Sequence, residues 1–78
     1  MTLLEYALQL VDQKLADLKV VEDRLVALHG VVTSPDLQAD LRRLTIEYAE
    51  MRQRALQQKR ALLTEALVYH ADRELQVH

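Results

Sequence analysis

Apolar residues recur every three or four positions through two long stretches, and only one short segment between them carries helix breakers. From Leu4 the series runs Leu8, Val11, Leu15, Leu18, Val21, Leu25 and Leu28, a spacing that keeps the side chains on one face of an α-helix. Lys14, Asp17, Lys19, Asp23 and Arg24 take the opposite face. Thr2, with Glu5 three residues on, has the spacing of a capping box. Gly30 is expected to close the helix in the left-handed conformation that glycine adopts without cost.

The chain restarts at Ser34-Pro35-Asp36. Serine can cap a helix, proline fits its first turn, and an aspartate is favoured near its positive end. No later breaker occurs, and Leu37, Leu41, Leu44, Tyr48, Met51, Ala55, Leu62, Ala66 and Tyr69 continue the spacing, interrupted at Gln58. The expected fold is therefore all-α: a single antiparallel two-helix hairpin with helix one over about 3–29, a link at 30–34 and a longer helix two over about 35–75. Such a hairpin would be suited to dimerise into a four-helix bundle. A single parallel coiled coil is the competing arrangement, but Gly30 and Pro35 would interrupt it, and Glu22, Gln58 and Glu65 at or beside its seam would weaken it.

Unequal helix lengths carry the functional expectation. About 27 residues span roughly 40 Å and about 40 residues roughly 60 Å, so in an antiparallel pair the start of helix one lies opposite a point near Ala61. Leu62, Leu63, Leu67, Val68, Tyr69 and Leu75 would then lack an intrachain partner. Leu3, Ala7 and Leu10 form a second apolar group at the same end, off the main stripe of helix one. Large exposed apolar patches mark interaction sites. Leu3, Leu10, Leu62, Leu63, Leu67, Val68 and Tyr69 are accordingly the expected partner-binding residues. The alternative is that the chain bends near Asp72 or frays, so that its last turns fold back or are disordered.

At 78 residues and 9.0 kDa the chain is near the lower limit for a self-sufficient core. It has no cysteine, which leaves a partner as the natural supplement. A compact sphere of this mass would expose about 4,900 Å². No stretch reads as a membrane span or signal peptide, so a cytoplasmic protein is expected. The formal net charge of −2 disfavours a general nucleic-acid binder. Arg42, Arg43, Arg52, Arg54, Lys59 and Arg60 make a basic run, but it reads first as a solvated face with pairs such as Glu50 to Arg54, and a nucleic-acid-binding hairpin is the lesser alternative. His29, His70 and His78 lack the spacing and companions of a zinc site. With one serine, no cysteine and one glycine, neither a nucleophilic triad nor a phosphate loop can be assembled. No enzyme activity, cofactor, metal or small-molecule substrate is expected.

In size, in its Met1-Thr2-Leu3-Leu4-Glu5 opening, in its helix, polar turn with proline and longer helix, and in its Leu67-Val68-Tyr69-His70 end followed by Leu75, the chain resembles the small co-chaperones of bacterial type III secretion. That resemblance implies a cytoplasmic virulence-associated protein that pairs with a larger helical-repeat chaperone. Together the two would keep the needle subunit soluble before its transport. A self-assembling structural hairpin is the alternative.

Overall fold

The structure is a computed structural model that describes the backbone of residues 2–77 and side chains of residues 2–69. It is a hairpin of two helices, α1 (Leu3–His29) and α2 (Pro35–Val77). The rod measures 66 × 18 × 14 Å, its length set by α2, whose 43 residues span about 65 Å at the helical rise. α2 passes Asp72 as one helix, so the chain does not fold back there. The expected contacts of Leu75 lie outside the described side chains, as do those of His70 and His78.

α1 begins as its sequence dictates. Thr2 Oγ1 accepts from the Glu5 amide at 3.1 Å, and the Glu5 carboxylate accepts from the Thr2 amide at 3.3 Å. Two of the amides that a helix start leaves unpaired are thereby satisfied. At the other end Gly30 departs from expectation. Its φ of −78° and ψ of −14° are right-handed, and its amide bonds to Ala27 O at 3.2 Å. Val31 and Val32 both donate to Leu28 O at 3.0 Å, so the helix tightens to an end without the positive-φ residue of a Schellman turn. At the start of α2 the bond formed by Ser34 is through its carbonyl, which accepts from the Gln38 amide at 2.9 Å. The Gln38 side chain reaches back to Val32 O, also at 2.9 Å, and ties the link to the first turn of α2.

That link changes the register. It runs beside the first turns of α2, so three side-chain pairs connect the helices much further along: His29 with Thr45 (3.3 Å), Glu22 with Arg52 (3.0 Å) and Asp12 with Lys59 (2.8 Å). Extending the same register brings the first turns of α1 to Ala66 and Tyr69, where Leu4, Leu8, Ala66 and Tyr69 line a common recess. The start of α1 therefore does not fall at Ala61. Part of the extra length of α2 stands at the tip beside the link, and only its last turns project beyond α1. Leu62 is half-buried against α1 rather than unpartnered.

Candidate interaction surface

The seam between the helices keeps a strict four-three alternation. On α1 it comprises Leu4, Leu8, Val11, Leu15, Leu18, Glu22, Leu25 and His29, all buried or half-buried. On α2 it comprises Leu41, Thr45, Tyr48, Arg52, Ala55, Lys59, Leu62, Ala66 and Tyr69. A seven-residue repeat keeps one stripe facing the partner helix when the helices coil about each other. Among the described residues the buried apolar side chains are Leu18, Leu25, Leu41 and Ala55, of which Ala55 alone has no exposed surface.

The observed seam corrects the apolar stripe expected of the sequence. Leu41, Tyr48, Ala55, Leu62, Ala66 and Tyr69 belong to both, but Leu37, Leu44 and Met51, which the spacing places on the core stripe, are exposed. Their α2 neighbours Thr45 and Arg52 face α1 instead, and Gln38 faces the link. On α1, Glu22 and His29 take the inward positions, while Val21 is half-buried and Leu28 is exposed. Glu22, His29, Thr45, Arg52 and Lys59 each have a partner across the helices, and these pairs fix the rotation of the two helices. One atom is left over: Glu22 Oε1 is buried with no hydrogen-bond partner among the described residues, while Oε2 meets Arg52.

The consequence is an apolar stripe displaced to one side of the seam. Val21 and Leu28 on α1, with Leu37, Leu44 and Met51 on α2, all precede a seam residue by one position, and in an antiparallel pair these positions share one flank. Towards the base of the rod the same flank carries Ala7 and Leu10 with Ala61, which line an apolar notch with Val11, Gln58 and Leu62. Leu3, 88% exposed, and Val68 lie one heptad further along the same lines.

The expected partner-binding residues thus separate into three groups. Leu3, Leu10 and Val68 share the flank just described. Leu63 and Leu67, the latter 71% exposed, fall on the opposite flank of α2 with Ile46. Leu62 belongs to the seam, and Tyr69 borders the base recess, half exposed. The base of the hairpin therefore presents two apolar flanks separated by packed side chains, not one continuous patch.

The basic run of α2 is also divided. Arg52 and Lys59 are committed to α1 through Glu22 and Asp12, and Arg43 pairs with Asp40 at 2.9 Å. The expected pair of Glu50 with Arg54 is not formed. Arg42, Arg54 and Arg60 point in different directions around the helix and make no continuous cationic strip. Among the described residues no group of three or more His, Asp or Glu is arranged to hold a metal, and no helix is long and apolar enough to cross a membrane.

No protein-family model, no curated protein and no solved structure matches the chain.

Proposed function

We propose that this hairpin is a non-catalytic protein-binding module of the co-chaperone kind, acting in the cytoplasm beside a larger helical chaperone to keep an export-bound, self-associating helical subunit soluble. The observation that carries the reading is apolar surface outside a satisfied seam. Leu63, Leu67 and Ile46 are exposed on one flank although the seam beside them is closed by Ala55, Lys59, Leu62 and Ala66. An amphipathic helix laid along such a flank would cover residues at helical spacing, the mode by which many hairpins and grooves take up a partner helix. The resemblance in layout to the small secretion co-chaperones agrees with this chemistry and supplies the partner class: a helical-repeat chaperone together with a needle-type subunit.

The test is co-purification of the tagged chain from the cells that make it, compared with Leu67→Asp. Burying the new carboxylate in an interface is costly, so the variant is expected to lose a helical-repeat partner while keeping its circular-dichroism spectrum. Retention of the same partner by Leu67→Asp would refute this flank as the contact, and recovery of no helical partner by either form would refute the co-chaperone reading.

A further inference from the structure

We infer that the flank carrying Leu10, Val21, Leu28, Leu44, Met51 and Ala61 is covered by a second copy of this chain, the two hairpins lying side by side with their tips at the same end. Three observations carry this, and none depends on the co-chaperone partner, whose proposed contact is the opposite flank.

The first is the displaced stripe. On this side apolar residues of both helices overflow the seam, whereas the opposite flank draws mainly on α2, through Ile46, Leu63 and Leu67; an overflow shared by both helices is the pattern of a helix pair that buries a second face. The second is area. The chain exposes 6452 Å², against about 4,900 Å² for a compact protein of its mass. The paired length is that of α1, whose 27 residues span about 40 Å; over a face 18 Å wide this covers about 700 Å² on each copy and about 1,400 Å² in all, the size of a standard stable interface.

The third is charge, and it selects the arrangement. Along the outer edge of this flank α1 carries Leu3, Leu10, Asp17 and Arg24, and α2 carries Val68, Ala61, Arg54 and Glu47, in that order from base to tip. By the hairpin's register these sit at matching heights. A two-fold axis along the rod lays α1 of one copy over α2 of the other at the same height. Leu3 then meets Val68, Leu10 meets Ala61, Asp17 meets Arg54 and Arg24 meets Glu47, with the mirror set on the second edge. Asp17, Arg24, Glu47 and Arg54 are all exposed in the single chain, and none forms an ion pair within it. Lys14, Gln58 and Glu65 would form a polar stretch inside the bundle. Placing the rods head to tail instead lays α1 on α1, so that the acidic Asp17 near mid-rod meets its own copy. The isologous, tips-together dimer is the arrangement in which every edge pair is apolar on apolar or acid on base.

Sedimentation of the isolated full chain is expected to give a dimer, and a monomer at tens of micromolar would overturn the inference. The chain has no native cysteine, so Thr33→Cys on the exposed link accepts a single spin label. Tips-together packing places two labels within about 20–30 Å, a few helix diameters. A separation near the 66 Å rod length would show head-to-tail packing and overturn the arrangement. Arg24→Glu and Glu47→Arg should each weaken dimerisation about tenfold, because each sets like charges together at two symmetric places. The double variant Arg24→Glu/Glu47→Arg should restore it. Failure of restoration, with both single variants still helical, would refute the edge pairing.

Discussion

Glu22 and Arg52 meet across the seam with Oε2 and Nη1 3.0 Å apart, at positions that the seven-residue repeat assigns to core side chains. Glu22 is the more enclosed partner, its side chain 18% exposed against 45% for Arg52, and its second oxygen is buried without a hydrogen bond. Removing Arg52 alone would leave that carboxylate with no counter-charge. Arg52→Leu is expected to lower stability by about 1–2 kcal/mol, after allowance for the half-exposed guanidinium. Glu22→Leu/Arg52→Leu should regain that loss or more, since an apolar pair carries no desolvation penalty. Urea unfolding of the four proteins in the cycle measures it. A double variant less stable than either single one would contradict this account of the seam.

Ala55 has no exposed surface, and the register of the flanking pairs sets it beside Leu18. The methyl group marks a close approach of the helices. Ala55→Leu should push them apart and cost about 1–3 kcal/mol, read as a lower urea midpoint. Unchanged stability would mean the helices are not in contact there.

Gly30 is right-handed, and a β-carbon built on it meets only Ala27 O at 3.5 Å, an ordinary contact. Gly30→Ala is therefore expected to stabilise the hairpin by about 0.4–1 kcal/mol, through a less flexible unfolded chain. Thermal unfolding decides the sign. A loss of stability would restore the left-handed cap that the sequence alone predicts.

The capping box at Thr2 and Glu5 ties down the first turn of α1, which carries Leu3 and Leu4 into the base of the rod. Thr2→Ala should cost about 0.5–2 kcal/mol, and amide exchange should quicken in the first turn of α1 ahead of the middle of the helix. Uniform exchange along α1 would contradict a local role for the cap.

The helices and their breaks were readable from spacing, capping residues and the Gly30 to Pro35 interval, because these act locally. The rotation of each helix about its own axis was not. Apolar counting places Leu44, Met51 and Leu28 in the core, whereas Thr45, Arg52 and His29 take those places because each finds a partner across the seam. A cross-helix pair depends on register, and register depends on the path of five link residues that carry no periodic signal. The same shift moved the base of α1 from Ala61 to Ala66 and Tyr69. It turned Leu62 from a docking residue into a seam residue and divided the remaining candidates between two flanks. Complementary charges at inward seam positions, Glu22 with Arg52 above all, were the one signal in the sequence from which the register could have been found.

Everything proposed for function rests on the apolar flanks being contact surfaces for other chains. The most direct measurement is site-specific photo-crosslinking in the cells that make the protein, with the reactive residue at position 67 and, as a control, at the exposed Gln57 on the outer side of α2. Adducts with a helical-repeat protein and a small helical subunit at position 67, absent at position 57, are the predicted result. Equal labelling at both positions, or none at either, would contradict it.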